Sequence, residues 1–326
     1  DVQEAERVLR EGAADLVLLG RSLVADPFWP KKVLEGREDD IVPCIRCNNC
    51  YHIATEHFNT CCTVNPRVYR ENRVPLTPPR AQTARSVVVV GGGPAGLKAA
   101  LTAAQRGHQV TLVEQSGALG GLMIPASVGA FKEDLRRYLS YLCRQVEKSQ
   151  IHVMLHTRAD RALLERLHPD AVILAVGGRA VMPPVPGLGT SGAVQAVALL
   201  NAGLETAGTR VTILGGGSIG CELALELAAL DRMVTVVELR DKLAANGNEL
   251  YRQDLMLHLE QETRITLLTQ TVCTGVTAQG CTVREKDGGT RVIPHDTFVI
   301  AAGLRADADA VEALYGVVPE TYYVGD

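Results

Sequence analysis

A stretch that occurs twice, at a constant offset of 124 residues, constrains the fold of this chain more than any other feature. The first copy, SVVVVGGGPAGLKAALTAAQRGHQVTLVE, begins at Ser86 and ends at Glu114. The second, TRVTILGGGSIGCELALELAALDRMVTVVE, begins at Thr209 and ends at Glu238. In each copy a β-branched run predicts a buried strand, the glycines predict a tight turn, and small apolar residues predict a helix before a second strand. Two α/β units of the same kind are therefore expected.

The first copy has the residues of a dinucleotide-binding turn. Gly91 permits the turn, Gly93 lets the backbone approach a pyrophosphate, and Gly96 lets the helix lie close to the strand. The helix N-terminus, which includes Ala95, offers N–H groups and a partial positive charge to phosphates. Glu114 can accept hydrogen bonds from both hydroxyls of an adenosine ribose. These residues are the predicted cofactor contacts of the first unit.

The second copy repeats these positions as Gly215, Gly217, Gly220 and Glu238. Two complete copies imply two adenine dinucleotides, or one dinucleotide and a vestigial unit. The usual arrangement is an FAD domain interrupted by an NAD(P)H domain. Glu238 favours NADH because a carboxylate repels a 2′-phosphate, but Arg240 lies two residues on and keeps NADPH possible.

Three closely spaced cysteines and a more distant one indicate a metal site. Cys44, Cys47 and Cys50 follow a C-x2-C-x2-C pattern, and Cys62 follows after an eleven-residue gap. Four such thiolates can hold a [4Fe-4S] cluster, which is the predicted metal centre. Zinc is the competing metal, although its structural sites usually use two separated C-x2-C pairs, and a disulfide is a further alternative. Cys61 could replace Cys62 as the fourth ligand.

The residues before the cysteines have the pattern of a helix followed by a strand, which predicts α/β structure. Residues 1–11 have the pattern of an amphipathic helix, and residues 15–19 have the pattern of a short buried strand that ends at Gly20 and Arg21. A βα-barrel presents backbone amides and a guanidinium to a phosphate in this way. The alternative is an Arg21 that simply faces solvent.

Composition excludes several classes of protein. A net charge of −4 and a pI near 6.1 provide no basic surface for nucleic acid. No apolar run approaches the ~18 residues of a membrane span. Nine cysteines without a secretory signal indicate a reducing compartment, so a cytoplasmic protein is expected. The remaining thiols are interpreted as packing residues: Cys143, Cys221, Cys273 and Cys281.

A family resemblance follows from these motifs. DLVLLGRSLVADPFWPKKVLEGREDDIVPCIRCNNC, with CCTVNPRVYRE behind it, resembles the barrel end and cluster loop of old-yellow-enzyme-like NADH:flavin oxidoreductases of the 2,4-dienoyl-CoA reductase, enoate reductase and trimethylamine dehydrogenase type. The resemblance continues through both glycine-rich units. It implies that Gly20 and Arg21 contact an FMN phosphate, and it favours Cys62 over Cys61.

The resemblance also implies further FAD contacts. Gly121 and Leu122 lie where glycines suggest a backbone close to a flat ligand, although Leu122 replaces a glutamine of dienoyl-CoA reductase. Lys132 lies where the family has a cofactor-contacting basic residue; the alternative is a solvated lysine at a helix end. Asp326 resembles the aspartate that approaches the FAD ribityl chain, and a helix-capping role is its alternative.

The expected fold class is α/β: the end of a TIM barrel and an iron–sulfur loop, followed by two nested Rossmann-like dinucleotide-binding domains of the glutathione-reductase kind. The predicted segments are the barrel end (1–42), the cluster loop (43–71), a linker (72–85), the first part of the FAD domain (86–190), the NAD(P)H domain (191–290) and a return to the FAD domain (291–326). The strand-like DTFVIAAG near the end echoes AVILAVGG at residues 171–178.

The resemblance implies electron transfer from NADH to FAD, then to [4Fe-4S] and to FMN, for reduction of an activated C=C bond in a small-molecule substrate. The chain is expected to be the C-terminal electron-input module of a longer enzyme, with a missing barrel domain or separate barrel subunit as partner, and it could form a homo-oligomer. No catalytic acid can be named.

The alternatives to this function are an amine dehydrogenase that runs the opposite way, a self-sufficient NADH:acceptor reductase, and an electron-transfer subunit that docks on a separate barrel. A disulfide reductase is disfavoured because the first glycine-turn helix has no cysteine.

Overall fold

The structure is a computed structural model that describes residues 1–55, 60–245 and 247–325. Asp326, a predicted FAD contact, lies outside the described residues. The α-helices are α1 (Val2–Arg10), α2 (Arg21–Ala25), α3 (Trp29–Leu34), α4 (Asn49–Thr55), α5 (Pro94–Gln105), α6 (Met123–Ala126), α7 (Glu133–Glu147), α8 (Arg161–Leu167), α9 (Ala196–Ala202), α10 (Ser218–Ala229), α11 (Glu249–Gln261) and α12 (Ala308–Leu314).

The strands, in chain order, are β1 (Ser86–Val90), β2 (Gln109–Val113), β3 (His152–Met154), β4 (Ala171–Leu174), β5 (Gly178–Ala180), β6 (Val194–Gln195), β7 (Arg210–Leu214), β8 (Met233–Val237), β9 (Ile265–Leu268), β10 (Val272–Val276), β11 (Gly280–Arg284), β12 (Thr290–Pro294), β13 (Thr297–Ile300), β14 (Leu304–Ala306) and β15 (Glu320–Tyr323).

The chain divides into two compact units. The first unit comprises Asp1–Gly120, Asp134–Ala175 and Leu314–Val324, and the second comprises mainly Gly121–Glu133 and Val176–Ala313. Among the described residues, none of the helices combines the length and the apolar character that a membrane crossing requires.

A five-stranded parallel sheet forms the centre of the first unit, in the order β15–β4–β1–β2–β3. Its core strand β1 is buried from Val87 to Val90, as the β-branched run predicts. Helix α5 follows β1 and packs against β1 and β2, and its Leu97 and Ala100 are fully buried. The predicted strand, turn, helix and second strand are therefore all present.

The second unit repeats this sheet with the order β6–β13–β7–β8–β9, again parallel throughout. Strands β7, β8, β9 and β13 take the places of β1, β2, β3 and β4. Its core includes Ile213, Leu227 and Val236, all fully buried. The second unit adds the antiparallel sheet β10–β11–β12 and the antiparallel pair β5–β14. The α/β fold with parallel sheets is confirmed.

Close packing joins the glycine turn to the helix in both units. Gly91 has φ 105° and Gly215 has φ 111°, which are left-handed values that favour glycine. A Cβ atom at Gly96 would lie 1.9 Å from the carbonyl oxygen of Gly91, and one at Gly220 would lie 2.0 Å from that of Gly215. The helices can approach their strands this closely only because these residues have no side chain.

The structure corrects the predicted return to the first unit at residue 291. Strand β13 pairs with β7 and β6 in the second unit, and the chain re-enters the first unit only at Leu314, to form β15. The sequence similarity between DTFVIAAG and AVILAVGG is therefore part of the internal repeat, in which β13 is the counterpart of β4. The first crossing also differs: the second unit resumes at Val176 rather than at residue 191.

A second correction concerns the buried strand predicted at residues 15–19. These residues form no strand in the structure, and Leu16 and Leu18 are 87% and 98% exposed. A parallel strand needs neighbouring strands to accept its hydrogen bonds and cover its side chains. The described residues provide no neighbour here and contain no barrel sheet, so Gly20 and Arg21 do not follow a strand.

Gly96→Ala tests the close approach of α5 to its turn. Alanine raises helix propensity by ~1 kcal/mol, but its Cβ would fall far inside contact distance of a backbone oxygen. We expect the cost of the clash to exceed the gain in helix propensity, so that the free energy of unfolding falls by about 1–3 kcal/mol, measured by urea denaturation. The matched control is Gly93→Ala, because a Cβ at Gly93 meets no atom within 4 Å, and all chains are compared free of flavin so that ligand binding does not contribute to the difference. Equal loss in both variants would contradict the packing argument.

Candidate cofactor-binding sites

The glycine turn of the first unit is held by the acid at the end of β2. Glu114 is 7% exposed, and its two carboxylate oxygens accept hydrogen bonds from the N–H groups of Gly92 and Ser116, each at 2.7 Å. The sequence predicts Glu114 as a ribose acceptor, but it gave no sign of this backbone role. Because each carboxylate oxygen has more than one lone pair, the predicted ribose contact remains available.

Open space lies beside this turn, where a pyrophosphate is predicted. No atom lies within 4 Å of a Cβ at Gly93, in contrast to the crowded Gly96. Helix α5 begins with Pro94, and its first intrahelical bond runs from Leu97 N–H to Gly93 O at 2.9 Å. The N–H groups of Ala95 and Gly96 precede that bond, so they belong to the set that a helix N-terminus offers to anions. The turn therefore fits a phosphate-bearing dinucleotide.

The turn of the second unit has the same design. Glu238 accepts hydrogen bonds from the N–H groups of Gly216 at 2.6 Å and Arg240 at 2.8 Å. A Cβ at Gly217 would again meet no atom within 4 Å, whereas Gly220 is crowded. The pattern of one open glycine, one crowded glycine and one carboxylate thus recurs in both units.

Four cysteines line one cavity in the first unit. Cys44, Cys47, Cys50 and Cys62 surround it together with neutral side chains, and Cys61 is not among the lining residues. In the part of the chain that the structure describes, no three His, Cys, Asp or Glu side chains converge closely enough to hold a metal ion. The four thiols therefore surround a space rather than meet at one point. Four thiolates around a shared space is the arrangement that an iron–sulfur cluster needs.

Hydrogen bonds are directed at the sulfurs of this cavity. Burial raises the pKa of the Cys44 thiol, and the N–H of Arg46 acts in the opposite direction. Burial likewise raises the pKa of the Cys62 thiol, against which the N–H groups of Val64 and Asn65 act. Hydrogen bonds to the sulfur favour the charged thiolate, which is the form that binds metal. The loop is thus arranged to accept ligated thiolates.

Two further cysteine contacts were not predicted from the sequence. The sulfur of Cys47 lies 3.3 Å from the hydroxyl oxygen of Thr63, and Cys61 accepts a hydrogen bond from the side chain of Asn49 at 3.5 Å. Thr63 lines the cavity. The sequence could not identify Thr63 as a partner of Cys47, because no motif places a threonine at a fixed spacing from the cysteines.

Arg21 lies at this cysteine cavity, and neither Arg21 nor Gly20 lies at the end of a strand. Gly20 is the N-cap residue of α2 and Arg21 is its first residue. The guanidinium of Arg21 donates a hydrogen bond to the side-chain oxygen of Asn48, and both residues line the cavity. The predicted FMN-phosphate contact stays a prediction.

Lys132 belongs to a polar cluster in the second unit. Its ammonium donates to a carboxylate oxygen of Glu222 at 2.7 Å and lies 3.2 Å from the hydroxyl of Tyr251. The Lys132 side chain is 16% exposed, so it is not the solvated lysine considered as its alternative. Burial, followed by the hydrogen bond to Glu222, raises the pKa of Tyr251 well above its usual range. Glu222 was missed by sequence reasoning, although an acid on the apolar helix α10 could have marked it.

An apolar cavity of the second unit adjoins this cluster. Leu122, Phe131 and Leu223 line it together with Lys132 and Glu222. Gly121, with φ 52°, precedes Leu122 directly. The predicted contacts Leu122 and Lys132 therefore line one cavity with apolar walls and a charged pair, and Gly121 adjoins it only in sequence. Such a cavity can hold a flat apolar ring system with a polar edge.

Three of the four other cysteines pack in the core, as predicted. Cys221 lies on the buried side of α10, and Cys273 and Cys281 lie on β10 and β11 with buried side chains. The hydrogen bond between Cys273 and Cys281 lowers the pKa of Cys273 and raises that of Cys281. Cys143 is half-buried.

Comparisons with known proteins relate the chain to redox enzymes. A family described as pyridine nucleotide-disulphide oxidoreductase matches residues 85–318. An NADH oxidase of Thermoanaerobacter brockii is 36% identical over 306 residues, which cover 92% of this chain and 46% of that protein. A bilirubin reductase of Mediterraneibacter gnavus is 33% identical over 325 residues, which cover 99% of this chain and 50% of that protein.

A solved structure is also similar along the entire chain. The complex of 2-naphthoyl-CoA reductase with 2-naphthoyl-CoA superposes with a TM-score of 0.94 at 30% identity, covering 100% of this chain and 49% of that one. The chain thus spans about half the length of the curated relatives it matches.

Glu222→Gln tests the polar cluster of the second unit. The substitution leaves the largely buried ammonium of Lys132 without its carboxylate, so we expect the free energy of unfolding to fall by about 1–3 kcal/mol. Urea denaturation measures the change. Glu249→Gln is the matched control, because the Glu249 side chain is 42% exposed in its ion pairs with Lys242 and Arg252, and ion pairs of an exposed carboxylate are worth at most ~1 kcal/mol. A loss no larger than that of the control would contradict a structural role for the Lys132–Glu222 pair.

Proposed function

This chain belongs to the pyridine nucleotide-disulphide oxidoreductase family, and we propose that it is the electron-input part of a longer NADH-dependent flavin and iron–sulfur enzyme. The similarity to an NADH oxidase and to two reductases confirms the family resemblance that the motifs predict. The family match covers both glycine-turn units, and the solved relative extends the similarity over the cysteine loop.

The observation that carries this proposal is the repeated turn. In both units an open glycine lies beside a helix N-terminus and a carboxylate ends the second strand. We assign FAD to the first unit and NADH to the second, as the resemblance implies. The open glycine and the helix N-terminus would hold the pyrophosphate, and Glu114 and Glu238 would bind the ribose hydroxyls.

NADH rather than NADPH is the proposed electron donor. Glu238 is fixed by the N–H groups of Gly216 and Arg240, so its carboxylate cannot easily turn away from a ligand at the turn. A carboxylate at this position binds a free 2′-hydroxyl and repels a 2′-phosphate.

The four cysteines that line one cavity are the proposed ligands of a [4Fe-4S] cluster. Cys44, Cys47, Cys50 and Cys62 supply the thiolates, and the surrounding N–H groups stabilise their negative charge. When bound, NADH, flavin and cluster would together supply hydride acceptance and the separation of an electron pair into single electrons. The role of the chain is to hold each group and to keep the thiolates charged.

The proposed role of the whole enzyme is the reduction of an activated C=C bond in an organic molecule. Two of the similar proteins are named reductases of organic molecules, bilirubin and 2-naphthoyl-CoA. An FMN-binding barrel, supplied by the longer protein or by a partner subunit, would hold the substrate. Arg21 and Gly20 would then meet the FMN phosphate from the side of this chain.

Cofactor content tests this proposal. We expect the chain, purified without oxygen, to contain about four iron and four sulfide ions per molecule, together with FAD. Cys62→Ser should lose the iron, because Cys62 lines the cavity, whereas the matched variant Cys61→Ser should keep it. Gly93→Ala should lose FAD but remain folded, since its new methyl group projects into the space reserved for the pyrophosphate.

Two results would contradict the assignment. Zinc in place of iron would remove the electron-transfer role of the loop. Iron that is retained in Cys62→Ser and lost in Cys61→Ser would show that the cavity has been assigned the wrong fourth ligand.

A further inference from the structure

Arg21 occupies an unexpected place, at the wall of the cysteine cavity. The family resemblance implies that it contacts an FMN phosphate, and its side chain also lines the same cavity as Cys44, Cys47, Cys50 and Cys62. Among the described residues that line the cavity, Arg21 is the one with a permanent positive charge, because the others are cysteine, apolar or neutral polar residues.

The loop itself holds Arg21 in this place. Its guanidinium donates a hydrogen bond to the side-chain oxygen of Asn48, which lies between two of the cysteines. Asn48 has φ 55°, a left-handed conformation that asparagine tolerates better than most residues. A guanidinium has five N–H donors, so one bond to Asn48 leaves the others free for a second partner such as a phosphate.

The charge of Arg21 is not neutralised by a carboxylate of the described chain, since no ion pair joins it to an acid among these residues. Arg46 in the same loop differs in this respect. Its guanidinium lies 3.2 Å from a carboxylate oxygen of Asp134, its side chain is 62% exposed, and it does not line the cavity. Among the described residues, Arg21 thus lines the cavity without a carboxylate partner, whereas Arg46 has one and does not line the cavity.

We propose that Arg21 is a positioning residue that raises the reduction potential of the cluster in this cavity. The inference rests on the proposed [4Fe-4S] function of the four cysteines. One-electron reduction adds a negative charge to the cluster, and a nearby cation stabilises that charge. Arg21 thereby makes the cluster a better acceptor of single electrons, in addition to any contact with a phosphate on its other side.

A redox titration of the purified, iron-loaded chain tests this role. The electron-spin-resonance signal of the reduced cluster is followed during reductive titration with dithionite, for the unmodified chain, Arg21→Gln, Arg21→Lys and the matched control Arg46→Gln. At a fixed ambient potential we expect Arg21→Gln to lower the reduced-to-oxidised ratio roughly tenfold, which is ~59 mV for one electron. Arg21→Lys keeps the charge and should stay near the unmodified chain, and Arg46→Gln should change little.

The outcomes separate this inference from the proposed function. An unmodified chain without iron and sulfide would overturn both. A loaded chain in which Arg21→Gln has the same potential as Arg46→Gln would overturn the role of Arg21 alone. If circular dichroism shows that Arg21→Gln does not fold, Asn48→Gly provides the second test, since glycine accepts the left-handed backbone and only the anchor of the guanidinium is lost. We then expect a smaller shift of the same sign, and no shift would overturn the proposal.

Discussion

The hydrogen bond between a turn N–H and the carboxylate that ends the neighbouring strand is the constraint on which both units depend. Gly92 donates to Glu114 in the first unit, and Gly216 donates to Glu238 in the second. Each bond ties the glycine turn to the second strand, while the crowded glycine fixes the start of the helix against the first strand. These contacts within the protein define the shape of the turn, which suits the proposed pyrophosphate site.

The cysteine loop places four thiols around one cavity, which requires an unusual backbone. Arg46 and Asn48 flank Cys47 with left-handed φ values of 50° and 55°. Such a backbone costs about 1–3 kcal/mol at a residue other than glycine, and it persists only where other contacts impose it. The bond from Arg21 to Asn48 is one such contact, whereas the ion pair of Arg46 with Asp134 involves a largely exposed arginine and contributes little. Strain of this kind is commonly found at functional sites.

Much of this structure could be predicted from the sequence, because the glycine turns and the cysteine spacing are set by local chemistry. Gly96 must be glycine for steric reasons that one motif expresses completely. The strand predicted at residues 15–19 is wrong, because a strand forms only beside neighbouring strands, and these are distant in sequence. The predicted return of the chain to the first unit at residue 291 was wrong for a related reason. The repeated pattern in β13 identifies the kind of strand but not the sheet to which the strand belongs. Glu222 was missed because its partners, Lys132 and Tyr251, meet it only in the folded chain.

In the proposed function, this chain accepts electrons from a nicotinamide dinucleotide and delivers them to a bound flavin and cluster. Anaerobic absorption spectroscopy during stepwise addition of NADH tests it most directly, with NADPH as the comparison. We expect NADH to bleach the flavin band and then the broad cluster absorption, and NADPH to do so far more slowly because Glu238 repels its 2′-phosphate. A flavin-loaded and iron-loaded chain whose spectrum neither nucleotide changes would contradict the claim.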